Sequence, residues 1–283
     1  MKLFFSKFYS VLYTILKDKS NKNQIVYRIY LAFAWQLYKK ICPFPLIIEL
    51  DNKLLYILEP KAGNSVGVIY TKIYEADYII FLRKNIEKNG IFIDVGAHTG
   101  LYTLLLHPLY SSAIALEPDG ETFELLSRNI GINKIKSIEL ICAGASDCDD
   151  IGFLKRTGKY SGTTCLVDNS WSESDQIISV PILKIDNLIN DKGIEKINCM
   201  KIDTEGHELK VLKGALKILK RSPNAIVLYE NSNFEEIRSL FTQIGWRIFT
   251  IDKKEKIITD LNELSNAYNL FACGPEHKLF KFT

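Results

Sequence analysis

The run Ile91-Phe92-Ile93-Asp94-Val95-Gly96-Ala97-His98-Thr99-Gly100 constrains this 283-residue chain more than any other segment. An apolar strand enters a glycine turn and leaves into the apolar-rich stretch Leu101 to Leu106. Strand, tight turn and helix in that order belong to parallel α/β sheets, in which ligands bind at the carboxyl ends of the strands. Backbone N–H groups and the positive end of a helix dipole then face the ligand.

The glycine spacing narrows the ligand. A dinucleotide loop reads G-x-G-x-x-G, and its second glycine lets the backbone approach a diphosphate. Here the register is Gly96-Ala97-His98, without that glycine, and Asp94 stands before the turn. A carboxylate there repels a diphosphate and suits the ammonium of an amino-acid tail, which points to S-adenosylmethionine. Glu117 closes the next apolar run, Ala113 to Leu116, about 20 residues on, where a ribose-binding carboxylate is expected. Pro118 stops that strand, and Asp119 can cap the helix that follows. A third strand, Ile138 to Cys142, runs into Gly144-Ala145-Ser146-Asp147, whose acid can accept from the adenine amine.

A fourth strand, Ile197 to Ile202, ends on Asp203-Thr204-Glu205-Gly206-His207-Glu208. In a doubly wound order it lies beside the first, so Asp203, Glu205 and His207 face the glycine loop as candidate catalytic groups, any of them a base for a hydroxyl acceptor. Helix amino ends also attract acids, and His207 has a plain solvent-facing alternative. The fifth strand, Ala225 to Tyr229, ends at Glu230. With Asp203 and Glu205 this residue makes an oxygen set suited to Mg²⁺, or it is a helix cap.

Elsewhere the chain alternates strand and helix, which predicts a doubly wound, mostly parallel seven-stranded α/β sheet. Leu46 to Leu50 and Leu54 to Leu58 read as a hairpin around Asp51-Asn52, Val66 to Ile69 as a strand, and residues 75–88 as a helix. Residues 151–183, including Lys155 to Thr164, read as an irregular, polar, β-prone insert at the substrate end of the sheet. Leu209, Leu212, Leu216 and Leu219 sit at the spacing of one continuous helix, and Arg247 to Ile251 and Asn269 to Cys273 close the sheet. The expected organisation is a basic helical arm with a hairpin over residues 1–65 and a ligand-binding domain over residues 66–283.

Charge is unevenly placed. Residues 1–42 hold eight Lys/Arg and one acid, a net +7, which leaves −4 for the rest of a chain whose total is +3. With the basic excess confined to the arm, no nucleic-acid partner is expected. The arm interleaves Phe4, Phe5, Phe8, Tyr9, Leu12, Tyr13 and Leu16 with lysines. Two readings stand: a helix docked on the domain, as most amphipathic helices are, or one lying on an anionic membrane surface. Basic and polar residues interrupt every window of about 20 residues that could span a bilayer, and no secretory signal is evident. The six cysteines contain no C-x-x-C pair and read as reduced, buried thiols of a cytoplasmic protein, peripheral on the inner membrane face if the arm binds lipid.

Tyr70 to Glu75, IFIDVGAHTG, ALEPD, GASD, KIDTEGHE and LYEN together resemble the FkbM family of S-adenosylmethionine-dependent methyltransferases, over about residues 66–273. The resemblance implies a class I methyltransferase fold and O-methylation of a hydroxyl on a sugar or other small molecule or glycan. It implies cofactor contacts at Asp94, Gly96, His98, Gly100, Glu117 and Asp147, with Asp203 and Glu205 near the acceptor; their neighbours Ala97, Pro118, Asp119, Ala145 and Ser146 are expected in the same cofactor site. Two other readings are a nucleoside-binding scaffold without turnover and a nicotinamide-dependent oxidoreductase, the latter in conflict with the missing middle glycine.

Overall fold

A computed structural model describes residues 11–60, 65–156, 165–167 and 176–283. Its main sheet is built from β3 (Gly90–Val95), β4 (Tyr110–Leu116), β5 (Ile138–Ile141), β10 (Cys199–Ile202), β11 (Ile226–Glu230), β12 (Arg247–Ile251), β13 (Ile257–Ile258) and β14 (Asn269–Cys273). The spatial order is β13-β12-β14-β11-β10-β3-β4-β5. The run from β11 to β5 is parallel, and β14, β12 and β13 add on antiparallel. The sheet thus has eight strands where seven were expected, because the two-residue β13 pairs with β12.

Parallel strands are buried on both faces and carry apolar residues on both. Phe92, Ala113, Cys199, Ile226 and Phe271 face one core, and Ile93, Ile114, Met200, Val227 and Leu270 face the other. From β3 the chain winds outward through β4 and β5, then returns to the other side of β3 with β10 and β11. The switch point between β3 and β10 opens the crevice in which the site lies.

Several local expectations give way to packing. Val66 to Ile69 lie in the helix Ser65–Tyr70, not in a strand; Val68, Ile69 and Tyr70 are buried in the same core as Ala32 and Trp35 of the helix Ile25–Ile41, which overrides β-branched propensity. The helix expected over 75–88 is confined to Ala76–Asn85, because Glu75 before it is left-handed at φ 44°. The third strand ends at Ile141, and β6 (Gly144–Ser146) leaves the main sheet. The insert is no irregular loop: β7 (Asp150–Arg156), β8 (Cys165–Val167) and β9 (Gln176–Lys184) join β6 in a second sheet of order β6-β9-β7-β8. Lys155 and Arg156 lie in β7, whereas the remainder of the stretch to Thr164 lies outside the described residues. The leucine-spaced helix divides at Ala215 into Glu208–Gly214 and Leu216–Arg221. Gly214 presses on β6 there, and a Cβ would lie 2.0 Å from the Ser146 carbonyl oxygen.

The hairpin forms as expected, β1 (Leu46–Glu49) pairing with β2 (Leu55–Leu58). It is docked on the helix Gly120–Ile132: the Ile57 N–H donates to Asn129 Oδ1 at 2.7 Å, and Asn129 Nδ2 donates to the Thr99 carbonyl at 2.8 Å. In the arm, residues 11–17 are helical, and Ile15 is the residue that enters the core, whereas Leu16 is exposed and Leu12 half-buried. Phe4, Phe5, Phe8 and Tyr9 lie outside the described residues. All six cysteines are free, but only Cys199 and Cys273 are buried; Cys142 and Cys148 are exposed. No helix among the described residues is long and apolar enough to cross a membrane.

Candidate functional site

The crevice begins where β3 ends. Gly96 is left-handed at φ 72°, and a Cβ on it would lie 1.9 Å from the Asp203 carbonyl oxygen, so only glycine lets the ends of β3 and β10 come this close. The loop amides are largely spent within the fold. Gly96 and Ala97 N–H both donate to the Leu116 carbonyl at 3.0 and 2.9 Å, and the His98 N–H donates to Glu117 Oε2 at 2.9 Å. A diphosphate cradle needs those donors free, so this loop as folded does not form one.

Glu117 lines the crevice at the end of β4, with its second oxygen accepting from the Asp119 N–H at 3.0 Å. Burial raises its carboxyl to about 7, against the pull of those two amide donors. A carboxylate has about four acceptor positions, so two remain for further donors. Replacing Glu117 with Ala is expected to remove charged-acceptor bonds worth about 1.5–3 kcal/mol each and to lower S-adenosylmethionine affinity roughly tenfold or more, as read by calorimetry.

Asp94 lies deeper than the other strand-end acids. It is fully buried beneath the loop and off the crevice wall, accepting from Thr103 Oγ1 at 2.5 Å with Lys201 Nζ 3.8 Å away. Lys201 is the residue that sequence reasoning missed. Its Nζ lies 3.0 Å from Asp203 Oδ2, donates to the Gly96 carbonyl at 3.1 Å, and sits 5.1 Å from the centre of the Tyr102 ring. Burial pushes the ammonium down, but Asp203 and Asp94 more than offset this and leave it raised. The available signal was one lysine in the otherwise apolar strand Cys199-Met200-Lys201-Ile202.

The acidic end is compact. Carboxylate oxygens of Asp203, Glu205 and Glu230 lie within 4.8 Å of one another. Glu205 is pushed up to about 7 by partial burial and by the neighbouring Glu230 and Asp203. Burial also raises Glu230. Glu205 is held left-handed at φ 54°, a sparsely populated conformation for a residue with a side chain. Glu208 holds the turn: fully buried, it accepts from the Thr204 N–H and hydroxyl, both at 2.9 Å, from the Gly206 N–H at 3.1 Å and from the Ser232 hydroxyl. Tyr74 and Glu75 also line the crevice, Glu75 accepting from the Tyr102 hydroxyl at 2.5 Å, and neither stood out as chemical in the sequence.

Of the expected cofactor contacts, Gly96, Ala97, His98, Glu117, Pro118 and Ala145 line the crevice, as do Asp203 and Glu205 of the catalytic candidates. Gly100 lies behind the loop, left-handed and against Leu126. Asp119 caps the helix Gly120–Ile132 through the Thr122 N–H and pairs with Arg156 Nε at 2.6 Å. Ser146 stands 3.0 Å from His207 Nε2 and bonds to the exposed Asp147 at 3.2 Å, so these three form a group of their own off the crevice wall.

Residues 94–248 match the methyltransferase FkbM domain. The hexuronic acid methyltransferase AglP of Haloferax volcanii is 27% identical over 154 residues, covering 54% of this chain and 61% of that protein. The methyltransferase sdnD of Sordaria araneosa is 24% identical over 200 residues, covering 60% of this chain and 75% of that protein. Among solved structures, the methyltransferase FkbM from Methylobacillus flagellatus KT aligns with a TM-score of 0.44 at 13% identity, over 89% of this chain and 60% of that one. The chain therefore spans about three fifths of the length of AglP and of that structure. The family match covers more than half of the chain and contains the loop, Glu117 and the acidic turn: this chain belongs to the FkbM methyltransferase family.

Proposed function

We propose that this chain is an S-adenosylmethionine-dependent O-methyltransferase whose acceptor is a hydroxyl of a neutral sugar in a glycan or glycolipid. The observation that carries the reading is the placement of the Glu117, Asp203 and Glu205 carboxylates along one crevice that the Gly96 loop also lines, with Glu230 within 4.8 Å of the latter two. The residues fit the cofactor in kind: an acidic ribose site, and a glycine turn whose amides leave nothing for a diphosphate. S-adenosylmethionine, when bound, supplies an electrophilic methyl group.

The chain's own residues do the rest. Asp203, oriented by Lys201, accepts a hydrogen bond from an acceptor hydroxyl and fixes its direction. Glu205, with a carboxyl near 7, takes the hydroxyl proton at its oxygen. Carboxylates accept from hydroxyls and repel other carboxylates, so the acidic end suits a neutral sugar ring better than a uronate. AglP carries the name of a hexuronic acid methyltransferase, and likeness to it supports a sugar acceptor.

The same three acids are the candidates for Mg²⁺. With Lys201 already supplying a cation 3.0 Å from Asp203 and Glu205 able to take a proton, turnover is expected to survive EDTA; its loss, restored by Mg²⁺, would assign the acids to a metal. The decisive assay offers methyl-labelled S-adenosylmethionine with neutral glycosides and with uronides. The expected product is a base-stable methyl ether on a neutral sugar. Label in a base-labile ester, or cofactor binding without transfer to any hydroxyl, contradicts the proposal.

A further inference from the structure

The helix Ile25–Ile41 has no polar face. Ala32 and Trp35 are buried, and Ile25, Ile29, Leu31 and Tyr38 pack against the core from partly buried positions. The opposite side carries Val26, Tyr30, Phe33, Leu37 and Ile41 at helical spacing, from 54% to 82% exposed when the adjacent Tyr27 is included. The apolar surface continues past the helix in Phe44, Leu46 and Ile47. A helix that is apolar all round is ordinarily covered on all sides, and an exposed apolar patch of this extent marks an interaction surface.

Charge selects the partner. From Lys19 to Ile48 the sequence contains no Asp or Glu, and its basic residues are Lys19, Lys22, Arg28, Lys39 and Lys40. Exposed lysines stand at both ends of the exposed stripe, Lys22 before the helix and Lys40 in its last turn. A 17-residue helix is about 25 Å long, so the lysines bracket an apolar strip bearing two tyrosines and a phenylalanine, which suits the plane between headgroups and acyl chains. A protein partner of ordinary composition would not require the absence of acids over so long a stretch. We propose that the outward face of the helix Ile25–Ile41 docks on an anionic lipid bilayer and lies in its interface.

Docking there reaches the crevice through a short mechanical route. Asn21 Nδ2 donates to the Tyr70 carbonyl at 2.7 Å while its oxygen accepts from the Lys72 N–H at 2.9 Å. Gln36 Nε2 donates to the Tyr70 hydroxyl at 2.7 Å. The lipid-facing element therefore grips the segment that delivers Tyr74 and Glu75 to the crevice wall. The docking proposal does not depend on the acceptor proposed above, and its test makes no use of turnover.

Full-length protein is sedimented with phosphatidylcholine vesicles with and without phosphatidylglycerol. Binding is expected only with the anionic lipid and is expected to weaken as salt rises. Lys22→Gln with Lys40→Gln should reduce it about 25-fold, at about 1 kcal/mol per lysine. Val26→Glu with Leu37→Glu should abolish binding while melting temperature and S-adenosylmethionine affinity stay unchanged, since these side chains are 82% and 61% exposed. Three results overturn the proposal: equal recovery in the supernatant with and without anionic vesicles; a lipid-free dimer that the Glu variant dissociates, which assigns the face to a second copy; and a fall in melting temperature in that variant, which assigns it to the chain's own residues.

Discussion

Glu205→Gln is expected to lower methyl transfer by about 10²–10⁴-fold while leaving cofactor affinity and melting temperature near those of the parent. The substitution keeps shape and removes the acceptor of the proton. Partial burial, with Glu230 and Asp203 beside it, holds the Glu205 carboxyl at about 7. A base works when deprotonated, so kcat/KM in the parent should climb about tenfold per pH unit below 7 and level off above it. The Gln variant should lose that limb. Full activity in Glu205→Gln, or an unchanged pH limb, would move the base elsewhere, and Asp203 would be the next residue to replace.

Lys201→Met is expected to destabilise the fold by about 3–5 kcal/mol at neutral pH, the cost of leaving a buried charge without its partner. Lys201 and Asp94 are both buried at the switch point, and the ammonium is the cation that faces Asp94 and Asp203 together. Burial already raises the Asp94 carboxyl, and Lys201 works against that rise. Without Lys201 the carboxyl rises further, so the folded state binds a proton that the unfolded state has released. Stability then falls as pH rises through the window between the unfolded and folded values. Acidification from neutral pH should therefore return part of the loss in the variant. In the parent, Lys201 is itself raised, so its contribution is complete below its unfolded value and is lost only in strong alkali. Denaturant midpoints at two pH values check this; an equal loss at both would show that Asp94 does not carry the cost.

The parts of the site that were legible in the sequence are those written in consecutive residues. The apolar run into Gly96, the acid after Ala113 to Leu116 and the acids after β10 all announce themselves by position at a strand end. Asp119 was legible as a cap for the same reason and does cap its helix. What was hidden depends on residues distant in sequence. Lys201 reads as an odd charge in a strand until β3 and β10 bring Asp94, Gly96 and Asp203 around it. Glu75 matters because the helix Leu101–Leu106 presents Tyr102 to it. Asp94 sits at the expected strand end, but its burial and its hydrogen bond from Thr103 are set by the helix Leu101–Leu106 and could not be read from its own position. The second sheet was missed because its strands are separated by Gly-, Ser- and Thr-rich sequence, which reads as loop until β9 reaches β6 and β7.

The most direct test of this account is calorimetric titration of the purified full-length protein with S-adenosylmethionine and, separately, with NAD. The crevice described here predicts saturable binding of one S-adenosylmethionine per chain, weakened roughly tenfold or more in Glu117→Ala, and no binding of NAD. Tighter binding of NAD, or S-adenosylmethionine affinity untouched by Glu117→Ala, would contradict it.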